Sequence, residues 1–270
     1  MFDLHIHSHC SHDSCETVEN ICRCAYEKGL KGVMISDHAD MGPCDIPDTY
    51  ERFCRRADEI QRARALFGDR LAIREGIEMA EYLYDPTLAE RLLLITEYDA
   101  ILGSVHFVPY DGTSIAYSAI RFDEKNDAWI HGFLDLYFEK IKEMIQKTDI
   151  DILSHLTCPL RYINGKYGKG ISMDAHLPAV REIFSLILSR GIALEVNTSG
   201  LDYGASGLMP PLSLLSLYRE MGGTRITLGS DAHVASRVGI GFEEVKKHLR
   251  AMGFISCLNY QKREARSIAL

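Results

Sequence analysis

Phe2-Asp3-Leu4-His5-Ile6-His7 reads as a short strand that ends on two histidines. Side chains alternate across a strand, so His5 and His7 point to the same face. Two imidazoles two residues apart on one rigid edge can grip a single metal ion. Outward from this stretch, apolar runs that close on a possible ligand recur six more times. Strands are expected at 31–36, 71–77, 99–105, 149–154, 192–196 and 224–228. They end on Asp37-His38, Glu78, His106, His155, Asn197 and Ser230-Asp231-Ala232-His233 respectively.

Helical periodicity fills the intervals. Thr17 is a helix N-cap before 18–28, and Gly29 is its stop. Further helices are expected at 49–67, 86–96, 128–147, 174–190 (with Asp174 as cap and Gly191 as stop), 212–221 and 242–252. Strand–helix alternation without a linker-like change of composition predicts one α/β domain over 1–270, a parallel sheet closed into a barrel with helices outside. In such folds sites form where strands end, and the ligand-like residues all fall at that edge. The segments 108–126 and 157–173 lack clear periodicity and are expected as long binding loops. Shorter loops are expected at 40–48 and 199–211, and only a short tail after the last helix.

Composition narrows the function classes. The chain has 270 residues and a net charge of −8, which argues against nucleic acid as the default partner. No apolar run approaches the ~20 residues that span a membrane. Eight cysteines show no C-x-x-C pair, so a zinc ribbon is not expected. With no leader-like N-terminus, free thiols in a reducing cytoplasm are the expectation.

The candidate metal ligands are His5, His7, His12, Asp13, His38, Glu78, His106, His155, Asp231 and His233. All are nitrogen or oxygen donors, which suits zinc, manganese or iron, and a carboxylate can bridge two ions. One strand-end histidine alone is weak evidence, because such residues are commonly hydrogen-bonded structural groups. The full series points to a multinuclear centre. His131, His176 and His248 lie on expected helices and read as surface or packing residues. Glu75 reads as a charge-pairing residue on the opposite strand face from Glu78. His9 alternates in phase with His5 and His7 and is expected at the pocket edge, in contact with substrate.

The motifs D-x-H-x-H-S, S-D-H, G-I-E, G-S-V-H, S-H-L and G-S-D-A-H together resemble the polymerase-and-histidinol-phosphatase (PHP) family, over nearly the whole chain. The resemblance implies a distorted (β/α)7 barrel with two or three divalent metals at the strand C-termini. It would put His5, His7, Glu78 and Asp231 on one metal, and Glu78, His106 and His155 on a second. His38, His233 and one residue of the loop would hold a third. Ser11-His12-Asp13-Ser14 offers both His12 and Asp13 for the loop position, and the sequence leaves the two open.

A cluster of this kind suits phosphomonoester hydrolysis by hydroxide bridging two metals, with a small-molecule phosphate monoester as partner. The leaving alkoxide needs a proton, and His38, His12 and Asp13 are the candidate donors. Arg161, six residues beyond His155, is expected to contact phosphate through its guanidinium fork. Asn197 is expected either to bind the amine or imidazole end of a substrate or to hold its own loop. The runs around Arg161 and Asn197 resemble the histidinol-phosphatase branch, whose reaction belongs to histidine biosynthesis. The alternatives are a PHP phosphoesterase for nucleotides or other small phosphates, a non-catalytic PHP module, and metal-dependent C–N hydrolysis.

Overall fold

The computed structural model describes residues 1–42, 48–113, 115–203 and 207–270. Cys44, and parts of the loops expected at 40–48, 108–126 and 199–211, lie outside them. The strands β1 (Phe2–Ile6), β2 (Gly32–Ile35), β3 (His38–Asp40), β4 (Ala72–Ala80), β5 (Ala100–Ser104), β6 (Ile152–Leu153), β7 (Ala193–Asn197) and β8 (Ile226–Gly229) form one parallel sheet. Its order is β1-β2-β4-β5-β6-β7-β8, with β3 branching onto β4. The ends nearly meet: Asp231 N donates to His5 O at 2.8 Å, and His7 N donates to Ala232 O at 2.9 Å. This is the distorted (β/α)7 barrel. Every residue of β2, β5, β7 and β8 is buried, as expected of strands covered on both faces.

The helices α1 (Val18–Glu27), α2 (Thr49–Phe67), α3 (Pro86–Leu93), α4 (Asp127–Lys147), α5 (Cys158–Leu160), α6 (Leu177–Arg190), α7 (Leu212–Glu220) and α8 (Phe242–Ala251) surround the sheet. The reasons are local. Thr17 accepts from Asn20 N at 3.1 Å and caps α1, while Val18, Ile21, Cys22 and Ala25 form its buried face. Asn126 caps α4 in the same way through Trp129 N. α6 begins at Leu177 with Pro178 in its first turn. Asp174 to His176 form a separate 3₁₀ turn, so Asp174 is not its cap.

The register of β2 and β3 is what aims the site. β2 pairs with the first half of β4 (Ile35 opposite Glu75), and β3 continues at the same offset (His38 opposite Glu78). The break at Ser36-Asp37 therefore leaves His38 beside Glu78 on one face. Gly229 serves a close approach: a Cβ there would come within 2.0 Å of Glu195 Oε1 and 2.7 Å of His5 Cβ.

Two expectations are corrected. The segment 157–173 is not a plain loop, because α5 and a π-helical turn, Arg161–Lys166, occupy its first part and carry Arg161. The tail is not featureless either. β9 (Ser256–Gln261) and β10 (Glu264–Ala269) form an antiparallel hairpin whose turn residues Lys262 and Arg263 take φ 52° and 62°. Arg263 binds Asp149 and Asp151, and Lys262 N donates to Asp99 Oδ1. Asp99 and Asp151 immediately precede β5 and β6, so the hairpin braces the barrel edge opposite the site. Among the described residues no helix is long and apolar enough to cross a membrane.

Candidate metal centre

Glu78, near the end of β4, is the hub. Its Oε2 lies 3.3 Å from His5 Nε2, 3.8 Å from His7 Nε2 and 2.7 Å from His38 Nδ1. Its Oε1 lies 2.8 Å from His155 Nε2 and 3.3 Å from His106 Nε2. Asp231, which follows β8 with φ 50°, brings Oδ1 to 3.1 Å from His7 Nε2. At the outer side, Asp13 Oδ2 lies 3.1 Å from His233 Nε2, and Asp13 Oδ1 lies 3.7 Å from His38 Nε2. His38 Nε2 and His233 Nε2 are 3.4 Å apart. Four overlapping sets bring donor atoms within 4.8 Å of one another: His5-His7-Asp231, His5-Glu78-His155, His38-Glu78-His106 and His7-His38-His233.

The arrangement fits divalent cations for a reason internal to the side chains. His5 Nδ1 bonds Glu195 Oε1 at 2.7 Å, His106 Nδ1 bonds Asp40 Oδ1 at 3.0 Å, and His233 Nδ1 bonds the Asp231 carbonyl at 2.9 Å. Each Nδ1 donates to an oxygen acceptor, so each Nε2 is left as a lone pair aimed inward. His5 Nε2, His7 Nε2, His38 Nδ1 and Glu78 Oε2 are buried without a hydrogen-bond partner. Buried lone pairs facing one another are costly unless a cation sits among them.

The proton balance carries the same message. Burial disfavours charge on His5, His38 and His106, yet Glu195 and Glu78 for His5, and Glu78 and Asp40 for the other two, hold all three well above the usual imidazole range. Burial and the neighbouring His38 and His233 push His7 down to about 3. Burial also opposes charge on Glu78 and Asp231, but the surrounding histidines outweigh it and hold both carboxyls well below their usual range. Protons on the rings thus serve the carboxylates unevenly, with His7 left out. Divalent ions would serve all of them at once.

The remaining expected site residues divide. Arg161 reaches the cleft from the π-helical turn and donates to Ser199 Oγ at 2.7 Å and Tyr162 Oη at 2.9 Å, with Asp231 Oδ2 at 3.5 Å. His12 lines the same cleft, but its Nδ1 lies 3.8 Å from Asp40 Oδ2, while Asp13 occupies the place between His38 and His233. Asn197 is fully buried and spent internally: Oδ1 accepts from Ser199 N and Oγ, and Nδ2 donates to Glu195 Oε2. It holds its loop and does not line the cleft. His9 is a correction. β1 ends at Ile6, so the alternation stops before His9, which turns to Glu59 at 3.2 Å and lines a separate cleft beside α2. Glu75 is buried and paired with Arg56 at 3.3 Å. His131 bonds His176, which bonds Asp135 on α4, and His248 lies beside Glu244 on α8.

Several supporting residues went unnoticed in the sequence. Glu195 sits mid-strand in β7, where its Oε1 holds His5 and its Oε2 accepts from His155 N at 2.7 Å. The charged residue within an apolar run, A-L-E-V-N, was the available signal. Asp40 orients His106, and Glu81 Oε1 accepts the amides of His106 and Phe107. Asp37 is buried inside the loop that follows His7.

A family model described as the PHP domain matches residues 3–199. The histidinol-phosphatase of Lactococcus lactis is 26% identical over 93% of this chain and 91% of its own length. That of Saccharomyces cerevisiae is 35% identical over 76% of this chain and 68% of its own. The solved Lactococcus lactis histidinol phosphate phosphatase, complexed with zinc, L-histidinol and phosphate, superposes with a TM-score of 0.79 at 24% identity, covering 98% of both chains. With the model spanning most of the sequence and the barrel matching throughout, the chain belongs to the PHP domain family.

Proposed function

We propose that this protein is a metal-dependent phosphomonoesterase that hydrolyses L-histidinol phosphate to L-histidinol and phosphate, as one domain running over residues 1–270. The observation that carries the reaction class is the convergence of unpaired Nε2 lone pairs on the Glu78 and Asp231 carboxylates. The substrate rests on the relatives named histidinol-phosphatase and on the L-histidinol and phosphate held by the Lactococcus lactis protein.

His5, His7, Glu78 and Asp231 would hold one cation, Glu78, His106 and His155 a second, and His38, His233 and Asp13 a third. Zinc accompanies the Lactococcus lactis protein, and the donor set also accepts manganese or iron. Divalent ions in these positions supply Lewis acidity, which lowers the pKa of water and neutralises charge on phosphoryl oxygens.

The chain's own groups do the rest. Arg161 offers its guanidinium fork to two phosphate oxygens, and Ser199 and Tyr162 hold that fork at the cleft wall. Tyr117 and Tyr162, whose rings lie 5.8 Å apart, narrow the entrance and limit water around the ester. Asp13 and His38 face the outer part of the cleft, where they can pass a proton to the leaving alkoxide.

The test is a phosphate-release assay with added Mn²⁺ or Zn²⁺. The panel is histidinol phosphate, AMP, a nucleoside bisphosphate and short oligonucleotides. Histidinol phosphate is expected to give the highest kcat/KM. Equal or better turnover of a nucleotide would replace the substrate assignment while leaving the reaction class in place.

A further inference from the structure

Behind the ligands, on the side away from the cleft, lies a buried charged group that the reaction does not touch. Asp37 is fully buried and immediately precedes His38. Its Oδ1 accepts from Ser8 N at 2.6 Å, Ser11 N at 3.2 Å and Ser11 Oγ at 2.8 Å, and its Oδ2 accepts from Ser8 Oγ at 2.8 Å. Arg56 of α2, also buried, places Nη1 3.6 Å from Oδ2.

Ser11 Oγ is the branching point, and its hydrogen bonds can be counted completely. A carboxylate only accepts, so the single hydroxyl proton goes to Asp37. The two lone pairs that remain face His7 Nδ1 at 3.0 Å and the His38 amide at 3.0 Å. A backbone amide only donates, and a hydroxyl that has given its proton can only accept. His7 must therefore carry its proton on Nδ1. Its Nε2 is then bare, 3.1 Å from Asp231 Oδ1, where nothing but a cation satisfies both atoms.

We propose that Asp37 and Ser11 are positioning residues that lock His7 in its metal-binding tautomer, with Arg56 as the buried counter-charge that keeps Asp37 an obligate acceptor. The inference rests on the metal-centre reading, and it adds a cause for it. Without this relay the cheaper arrangement for His7 is a proton on Nε2, donated to Asp231, and that arrangement closes the site to a metal. The same hydroxyl pins the amide of His38, so one side chain sets ligands of two adjacent metal positions.

The pair Ser8 and Ser11 supplies an internal control. Each hydroxyl donates to Asp37, but only Ser11 touches a ligand side chain. Zinc affinity would be measured by competition with a chromophoric chelator for the wild type, Ser8→Ala, Ser11→Ala and Ser11→Thr. Ring protonation would be read from long-range ¹H–¹⁵N spectra of metal-free, ¹⁵N-histidine-labelled protein. Ser11→Ala is expected to weaken zinc binding by about 10–100-fold, the usual effect of removing a partner of a ligating histidine. It is also expected to move the His7 proton from Nδ1 to Nε2. Ser8→Ala should stay within about threefold of wild type, and Ser11→Thr should restore most of the loss. Equal losses in Ser8→Ala and Ser11→Ala would overturn the inference, because the effect would then be general loosening. So would a wild-type His7 protonated on Nε2, a result that needs no variant to fold. Failure of the wild type to bind zinc at all would instead remove the metal-centre reading itself.

Discussion

His5 and Glu195, 190 residues apart in sequence, meet through a 2.7 Å contact between Nδ1 and Oε1 with no solvent access to either side chain. The other oxygen of the same carboxylate receives the amide of His155, so one acid fixes ligands of two metal positions. Glu195→Gln would place an amide NH₂ against one of these donors while preserving volume. The expected result is zinc affinity lower by about 10–100-fold with the fold retained, read by chelator competition beside circular dichroism. Wild-type affinity in this variant would show that His5 does not need the carboxylate.

Asp13 and His12 are neighbours with unequal placements. Asp13 lies within 3.1 Å of His233 and 3.7 Å of His38, whereas His12 is near Asp40 on the rim. Asp13→Asn should therefore lower the metal content after dialysis and reduce kcat, and His12→Ala should leave metal content unchanged. Elemental analysis of both variants decides the point, and the reverse order would hand the loop position to His12.

Arg161 is held at the cleft wall by Ser199 and Tyr162 but has no carboxylate partner closer than Asp231 at 3.5 Å. Its fork is thus free to serve an anion. Arg161→Ala is expected to cut kcat/KM by ~10²-fold, since charge-assisted hydrogen bonds are worth ~1.5–3 kcal/mol each. Arg161→Lys should recover only part of this, because an ammonium keeps the charge and loses the paired geometry. Steady-state kinetics with unchanged metal content would separate this effect from damage to the centre.

Arg56 stands between Asp37 and Glu75, all three buried, and lies 4.4 Å over the ring of Phe53. Burial raises the Asp37 carboxyl, but Arg56 and His7, with the Ser11 and Ser8 hydrogen bonds, outweigh it and hold the group below its usual value of 3.8. A carboxylate with a lowered folded pKa contributes stability that is present above the unfolded pKa and lost as pH falls through the folded one. Arg56→Met removes the compensating charge and should cost about 3–5 kcal/mol near pH 7. In the variant the Asp37 carboxyl rises and takes up a proton on acidification, so the deficit should shrink between pH 7 and pH 4. Urea unfolding at several pH values checks this, and a deficit independent of pH would mean that packing, not charge, dominates.

Legibility in the sequence followed periodicity and position. The helix over 49–67 was readable to the residue because its buried positions Phe53, Ile60, Ala63 and Phe67 keep helical spacing. The C-terminal hairpin was missed because Lys262-Arg263 carries none of the usual glycine or asparagine turn signals. His9 was misplaced because alternation was extended past the true end of β1. Asn197 was ambiguous because an amide at a strand end serves a ligand or a loop equally well until its neighbours are known.

The first-sphere donors were determined by sequence alone. Histidines and acids at the ends of apolar runs must gather at one edge once those runs pair in parallel, whatever their exact register. What only the tertiary structure decided is which nitrogen of each ring faces inward. That choice belongs to Glu195, Asp40, Asp37 and Ser11, whose roles depend on angstrom-scale contacts between residues brought together by barrel closure and by the turn after His7. Order along the chain is enough to collect ligands. Orienting them requires hydrogen-bond geometry, and that exists only in the folded molecule.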